Sequence, residues 1–173
     1  SIYLVSMEPS LNFNKFNGDF NIGIQPAFKK DGFNMYPSID FSKKLNDTNY
    51  IITVGWKTQL INNTYSSLVQ TNPWLAMPSN LAITSKDKKF IGVTINANKH
   101  LNYGFMLSNN EYHNLPLFNR VANTNNLKYG VIYESLFERK ASTIELEAFL
   151  TYQFSDKLVA NNGLKYTQFN SLQ

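Results

Sequence analysis

STIELEAFLTYQF, residues Ser142–Phe154, alternates without a break: Ile144, Leu146, Ala148, Leu150, Tyr152 and Phe154 fall on one side, Thr143, Glu145, Glu147, Phe149, Thr151 and Gln153 on the other. Successive side chains of a strand point to opposite faces, so this pattern reads as a strand with one apolar and one mixed, mostly polar face. An ordinary soluble strand runs about five or six residues, whereas a tilted strand needs about nine to eleven to cross a bilayer. This stretch is long enough for the second task.

The same rhythm spreads outward from it. Tyr50, Ile52, Val54, Trp56, Thr58 and Leu60 share one face against Ile51, Thr53, Gly55, Lys57 and Gln59, and Ile91, Val93, Ile95 and Ala97 share another. Fainter alternation marks 20–24, Ile39 with Phe41, 103–108 and 127–134. Reversal signals stand between: Asn17-Gly18-Asp19, Lys30-Asp31-Gly32, Asn46-Asp47-Thr48-Asn49, Asn98-Lys99-His100, and Asn161-Asn162-Gly163, which is expected to interrupt a last segment, Lys157 to Phe169. The expectation is an all-β chain, an antiparallel meander of about eight or nine long strands, with no convincing helix period and a single domain over 1–173. Two substantial connections are expected, Ile61 to Asp87 and Asn109 to Asn126.

Aromatic residues end the apolar faces: Tyr50 and Trp56, Tyr103, Tyr129 and Tyr133, Tyr152 and Phe154. A membrane interface favours that placement. Period two alone fits a lipid-facing wall and the core of a soluble sandwich or barrel equally, so both readings stand at this point.

Composition narrows the classes. The chain has 173 residues, 43% of them hydrophobic and 14% aromatic, too apolar for a disordered segment. It contains no cysteine, which removes disulfides and thiolate metal sites. A formal charge of +4 with scattered lysines does not make a nucleic-acid surface. Asparagine, 24 of the 173 residues, suits a fold with many reversals. No run approaches the length of a transmembrane helix, and the start, Ser1-Ile2-Tyr3, does not read as a signal peptide.

Catalytic chemistry finds little support. His100 and His113 have no metal-ligand spacing; Glu111 beside His113 is the nearest approach to one. Glu145 and Glu147 share a strand face about 7 Å apart, a separation also found in hydrolytic carboxylate pairs. On a water-facing side it is unremarkable. The expectation is no enzyme, no cofactor and no metal. What remains is aromatic and amide chemistry in the connections, with Asn63, Tyr65, Trp74, Tyr112 and Phe118 as candidates for loop contact or docking. Such groups suit sugars or peptides at a surface, and equally suit loop packing across a barrel mouth.

Three stretches carry a resemblance. Tyr36-Pro37-Ser38-Ile39-Asp40 is followed by Gly55-Trp56, and then by a loop with Asn63, Tyr65, Ser67, Leu68, Asn72, Pro73, Trp74 and Leu75; Glu111-Tyr112-His113-Asn114-Leu115-Pro116-Leu117-Phe118 comes later. This succession resembles Bacteroidetes outer-membrane β-barrel proteins related to TonB-dependent receptor barrels. The resemblance implies a transmembrane barrel in a bacterial outer membrane, touching outer-membrane lipid and serving uptake or passage of a solute. Full receptors of that kind have many more strands and a separate plug domain. The expectation is therefore a segment of a larger barrel, with a complete small barrel second. Alternatives are a structural or assembly subunit of an outer-membrane complex, whose loop docks a partner, and a soluble extracellular β-module that binds glycan.

Overall fold

The computed structural model describes residues 4–15, 18–29, 32–45, 49–78, 80–121, 132–155 and 158–172. Nine strands and one short helix follow in order: β1 (Leu4–Ser6), β2 (Ser10–Lys15), β3 (Gly18–Lys29), β4 (Gly32–Lys44), β5 (Tyr50–Asn62), α1 (Tyr65–Thr71), β6 (Ile83–Asn96), β7 (Leu101–Val121), β8 (Ile132–Ser155) and β9 (Leu158–Leu172). They form one antiparallel sheet in which each strand from β3 to β9 pairs with its sequence neighbour. Both β1 and β2 pair with β3, either side of a break at Met7–Pro9. The backbone bonds Met7 N–H to Pro26 O and Ile24 N–H to Pro9 O carry pairing across that break. The sheet is thus effectively eight strands wide and open; among the described residues no pairing closes it into a barrel. No described helix is long and apolar enough to cross a membrane.

Cross-strand register turns the alternation into two faces. Phe13, Phe20, Phe41, Val54, Ile91, Leu107, Leu146 and Tyr166 are successive partners, an apolar row across the sheet. One residue along each strand, Asn21, Asp40, Gly55, Phe90, Ser108, Glu145 and Thr167 form the adjacent row on the other face. Burial is inverted relative to a water-soluble protein. Ser108, Asn110, Thr143 and Glu145 are buried, while Ile91, Phe105, Leu107 and Leu146 are about half exposed. In a one-layer sheet only curvature and side-chain crowding can bury a face, so the polar face is the concave one.

Glycine lets the concave face hold aromatic rings. Phe90 lies over its partner Gly55, where an added Cβ would sit 2.5 Å from Cζ of the ring. Phe149 lies over its partner Gly104 in the same way. Proline is placed by the same logic of pairing. Pro26 faces the β1/β2 break, Pro37 precedes the first β4–β5 pair at Ser38, and Pro116 lies beyond the last β6–β7 pair at His113. Each occupies a strand position with a neighbour missing on one side, where a lost N–H costs no ladder bond.

Three sequence expectations are corrected. Residues 65–71 form a helix, within a stretch that neither strand nor helix period explains: its two turns are too short to show a period, and its start is set by a capping box between Thr64 and Ser67. Asn109 to Val121 is strand, not connection: as far as His113 it still pairs with β6, and beyond that β7 and β8 continue as a two-stranded ribbon. Strand β9 runs straight through Asn161-Asn162-Gly163, held by β8 along Thr151 to Phe149. The alternation expected at Leu127, Tyr129 and Val131 lies outside the described residues, as does most of the reversal at Asn46–Thr48.

Candidate functional site

The concave face is a lattice of paired charges. Lys57 bonds Asp40 at 2.5 Å, Lys88 bonds Glu147 at 3.2 Å, and Glu145 is flanked by Lys165 at 2.9 Å and Lys86 at 3.6 Å. Strand alternation puts all these groups on one side, and antiparallel register brings β4 to β5, and β6, β8 and β9 to one another, although the partners are apart in sequence. Glu145, 3% exposed, also accepts from the Tyr112 hydroxyl at 3.4 Å, and Lys86 lies 5.3 Å from the centre of the Tyr112 ring. Glu145 and Glu147 therefore act as counter-ions to lysines. Asn110, wholly buried, donates to Thr143 Oγ1 at 3.3 Å, while its own Oδ1 lacks a hydrogen-bond partner.

Beside this lattice a recess of about 530 Å³ opens on the concave face between β2 and β6. Asn21, Gln25, Lys57, Gln59, Lys86 and Lys88 line it. Three ammonium groups, three amides and the Glu8 carboxylate around one hollow make a surface that water and polar solutes wet, the opposite of the convex side.

At one end of the sheet, residues 63–78 and 80–82 form a strap. Asn63 leaves β5 buried and donates at 2.7 Å both to Ala82 O and to Thr84 Oγ1. Thr84 in turn donates to Asn114 O at 2.6 Å, and the Asn114 amide reaches Ile83 O. Asn114 has φ of 57°, the left-handed region that asparagine tolerates better than most residues. Leu68 of α1 and Leu75 are buried. The strap then crosses to β8: Tyr133 donates to Trp74 O and Ala76 donates to Tyr133 O, a parallel bridge on the part of β8 that β9 does not reach.

The five sequence candidates thus separate. Asn63 is an anchor inside the strap, and Tyr65 is the first residue of α1, exposed. Trp74 is bonded through its backbone and the residue is 70% exposed. Tyr112 and Phe118 lie on β7 rather than on a loop; Tyr112 belongs to the concave lattice, and Phe118 opposes Ser135 on the ribbon. The residues that sequence reasoning missed are the lysines Lys57, Lys86, Lys88 and Lys165. Their only signal is their position on the polar side of each alternation. Glu111 and His113 share one side of β7, but Glu111 is taken by Lys89 at 3.9 Å and Lys140 at 3.7 Å. No cluster of metal-ligating residues occurs among the described residues.

Solved structures share this fold. The siderophore receptor PirA from Pseudomonas aeruginosa matches over 97% of this chain and 34% of its own, at 17% identity and a TM-score of 0.63. The ferric enterobactin receptor PfeA from Pseudomonas aeruginosa, in complex with enterobactin, matches over 95% of this chain and 27% of its own, at 19% identity and a TM-score of 0.61. The copper transporter OprC matches over 96% and 29% respectively, at 12% identity and a TM-score of 0.65. The chain spans about a quarter to a third of the length of the structures it matches. No protein-family model matches it, and no curated protein does.

Proposed function

We propose that this chain is a wall segment of a bacterial outer-membrane β-barrel of the TonB-dependent-receptor type, one that takes up or passes a polar solute and catalyses nothing. The apolar row from Phe13 to Tyr166 carries the reading: it is continuous, outward and without a covering layer. Ile144 to Phe154 on β8 is ten residue steps, about 33 Å of strand, which a tilt of about 40° reduces to about 25 Å, the height of the apolar band on such barrels. An open edge cannot stay in hydrocarbon with its N–H and C=O groups unpaired, so further strands complete the wall. Fold likeness to receptors and transporters supports the transport class. The Bacteroidetes affiliation rests on the Tyr36–Asp40, Gly55-Trp56 and 63–75 motifs alone.

Orientation follows from connection length. The strap and the β7–β8 ribbon lie at one end, whereas the β6–β7 and β8–β9 reversals at the other are short. Barrels of this kind keep short turns periplasmic and long loops outside, so the strap is extracellular. Its exposed Trp74 and Met77 favour the second reading, docking of another outer-membrane protein on the same barrel.

The full-length gene product, refolded into detergent, is expected to migrate faster unheated than boiled and to resist protease. In liposomes it should admit polar solutes only when inserted. A product that stays folded in water without detergent and shows no mobility shift contradicts the reading.

A further inference from the structure

We propose that the β7–β8 ribbon beyond His113 is a latched flap, hinged at Asn114 and held by the tip of the strap at Tyr133. Hinge and latch are features of this chain; that they gate the mouth of a pore rests on the membrane reading above. Asn114 is the one non-glycine residue with a positive φ among the described residues, at 57°. It falls where the ladder is interrupted: His113 pairs with Lys140 and Leu115 with Glu138, and the register skips Asn114. On the β6 side pairing stops at the same place, with Ser85 against His113. Just beyond it, Pro116 has no N–H to offer a further strand. A two-stranded ribbon is marginally stable by itself in water, so its hold comes from the strap.

The strap grips the ribbon at two points of unequal strength. At the root, Thr84 Oγ1 donates to Asn114 O at 2.6 Å and the Asn114 amide donates to Ile83 O at 3.3 Å. Asn63 fixes Thr84 in turn, donating to its Oγ1 at 2.7 Å, and both Asn63 and Thr84 are buried. At the tip the hold is two backbone bonds with Tyr133 and the buried Leu75, flanked by the exposed Trp74 and Met77. Tyr133 opposes Arg120, six residues beyond Asn114, so the two grips stand about 20 Å apart along the ribbon. The side-chain clasp at the root stays while the tip lets go. Alternation puts Asn63 and Thr84 on the concave side with Lys57 and Lys86. The freed ribbon therefore swings relative to the space that the sheet encloses, and the bridged state is the covered one.

The test uses the full-length product with any other cysteine replaced and Leu75→Cys/Tyr133→Cys introduced. Bridged neighbours lie about 5 Å apart, the spacing of paired strands, which a disulfide spans. Oxidation is expected to slow hydrogen exchange of 115–121 and 132–138 together, by about tenfold, with β7 below His113 unchanged and reduction restoring the rate. Asn114→Gly keeps a backbone free to take positive φ and loses the bond to Ile83. It should speed exchange of the same ribbon in the reduced form, and oxidation should slow it again. In liposomes, sucrose influx through the double-cysteine variant should fall on oxidation and recover on reduction. Ribbon exchange indifferent to the disulfide, or a change spread evenly over 101–121, overturns the hinge. Influx that is present and equal in both redox states overturns the gate. A product that never inserts, or admits no sucrose in either state, defeats the proposed function instead, and exchange measured in detergent still decides the flap.

Discussion

Phe105→Arg should destabilise the inserted protein by about 2–4 kcal/mol, the cost of a cationic side chain near the bilayer midplane. Phe105 lies on the apolar side between Val93 and Ala148, level with the middle of the Ile144–Phe154 band, and is about half exposed. On a soluble sheet, a surface substitution at such a position would change stability by no more than about 0.5 kcal/mol. The two readings of the alternation therefore differ by a large factor at a single residue. Asn109→Arg, two steps along the same side and level with Lys89, should cost only about 0–1 kcal/mol because charge is tolerated near the interface. Reversible denaturant unfolding from lipid vesicles measures both. Equal small effects at 105 and 109 would count against lipid on the convex face.

The second large effect concerns a glycine. Gly104→Ala should cost about 1–3 kcal/mol by overpacking. The new Cβ would crowd the Val93 carbonyl oxygen and stand 2.7 Å from Phe149 Cζ, and backbone on one side cannot yield as a long side chain would. Gly163, which pairs with the other side of Phe149, has only Ala148 O at 3.8 Å. Gly163→Ala should therefore be neutral, or gain up to about 1 kcal/mol from removing a flexible residue from a strand. The contrast within one cross-strand row excludes a general intolerance of β8 neighbours to change. Similar losses at both glycines would show that Phe149 does not sit as described.

What could be read from the sequence follows from where selection acts on alternation. Within the apolar band one side must be greasy and the other wet, so Tyr50–Leu60 and Ser142–Phe154 announce themselves. Beyond the band both sides of the β7–β8 ribbon meet water or the strap. The constraint lapses there, and Asn109–Val121 lost its period and read as a connection. Helix α1 was hidden by its length, and Ser67 stands where the usual capping-box signature has Glu or Gln. The candidate site was less legible still. Asn63 and Trp74 stood out as loop residues, but what each does depends on partners at Ala82, Thr84 and Tyr133. The lysine–carboxylate lattice needs register between strands up to 79 positions apart, as in Lys165 with Lys86 around Glu145. No local pattern encodes that.

Because these 173 residues contain no cysteine, single substitutions Thr143→Cys to Leu150→Cys, made in a full-length protein with any other cysteine replaced, give a clean probe of the central claim, that β8 faces lipid on one side and water on the other. The measurement is the rate of labelling by a charged maleimide in the full-length protein inserted in a bilayer. The account predicts strict alternation: positions 144, 146, 148 and 150 protected, and 143, 145, 147 and 149 reactive once local crowding is relieved by mild detergent. Labelling of 146 and 150 in the intact bilayer as fast as in urea would contradict it.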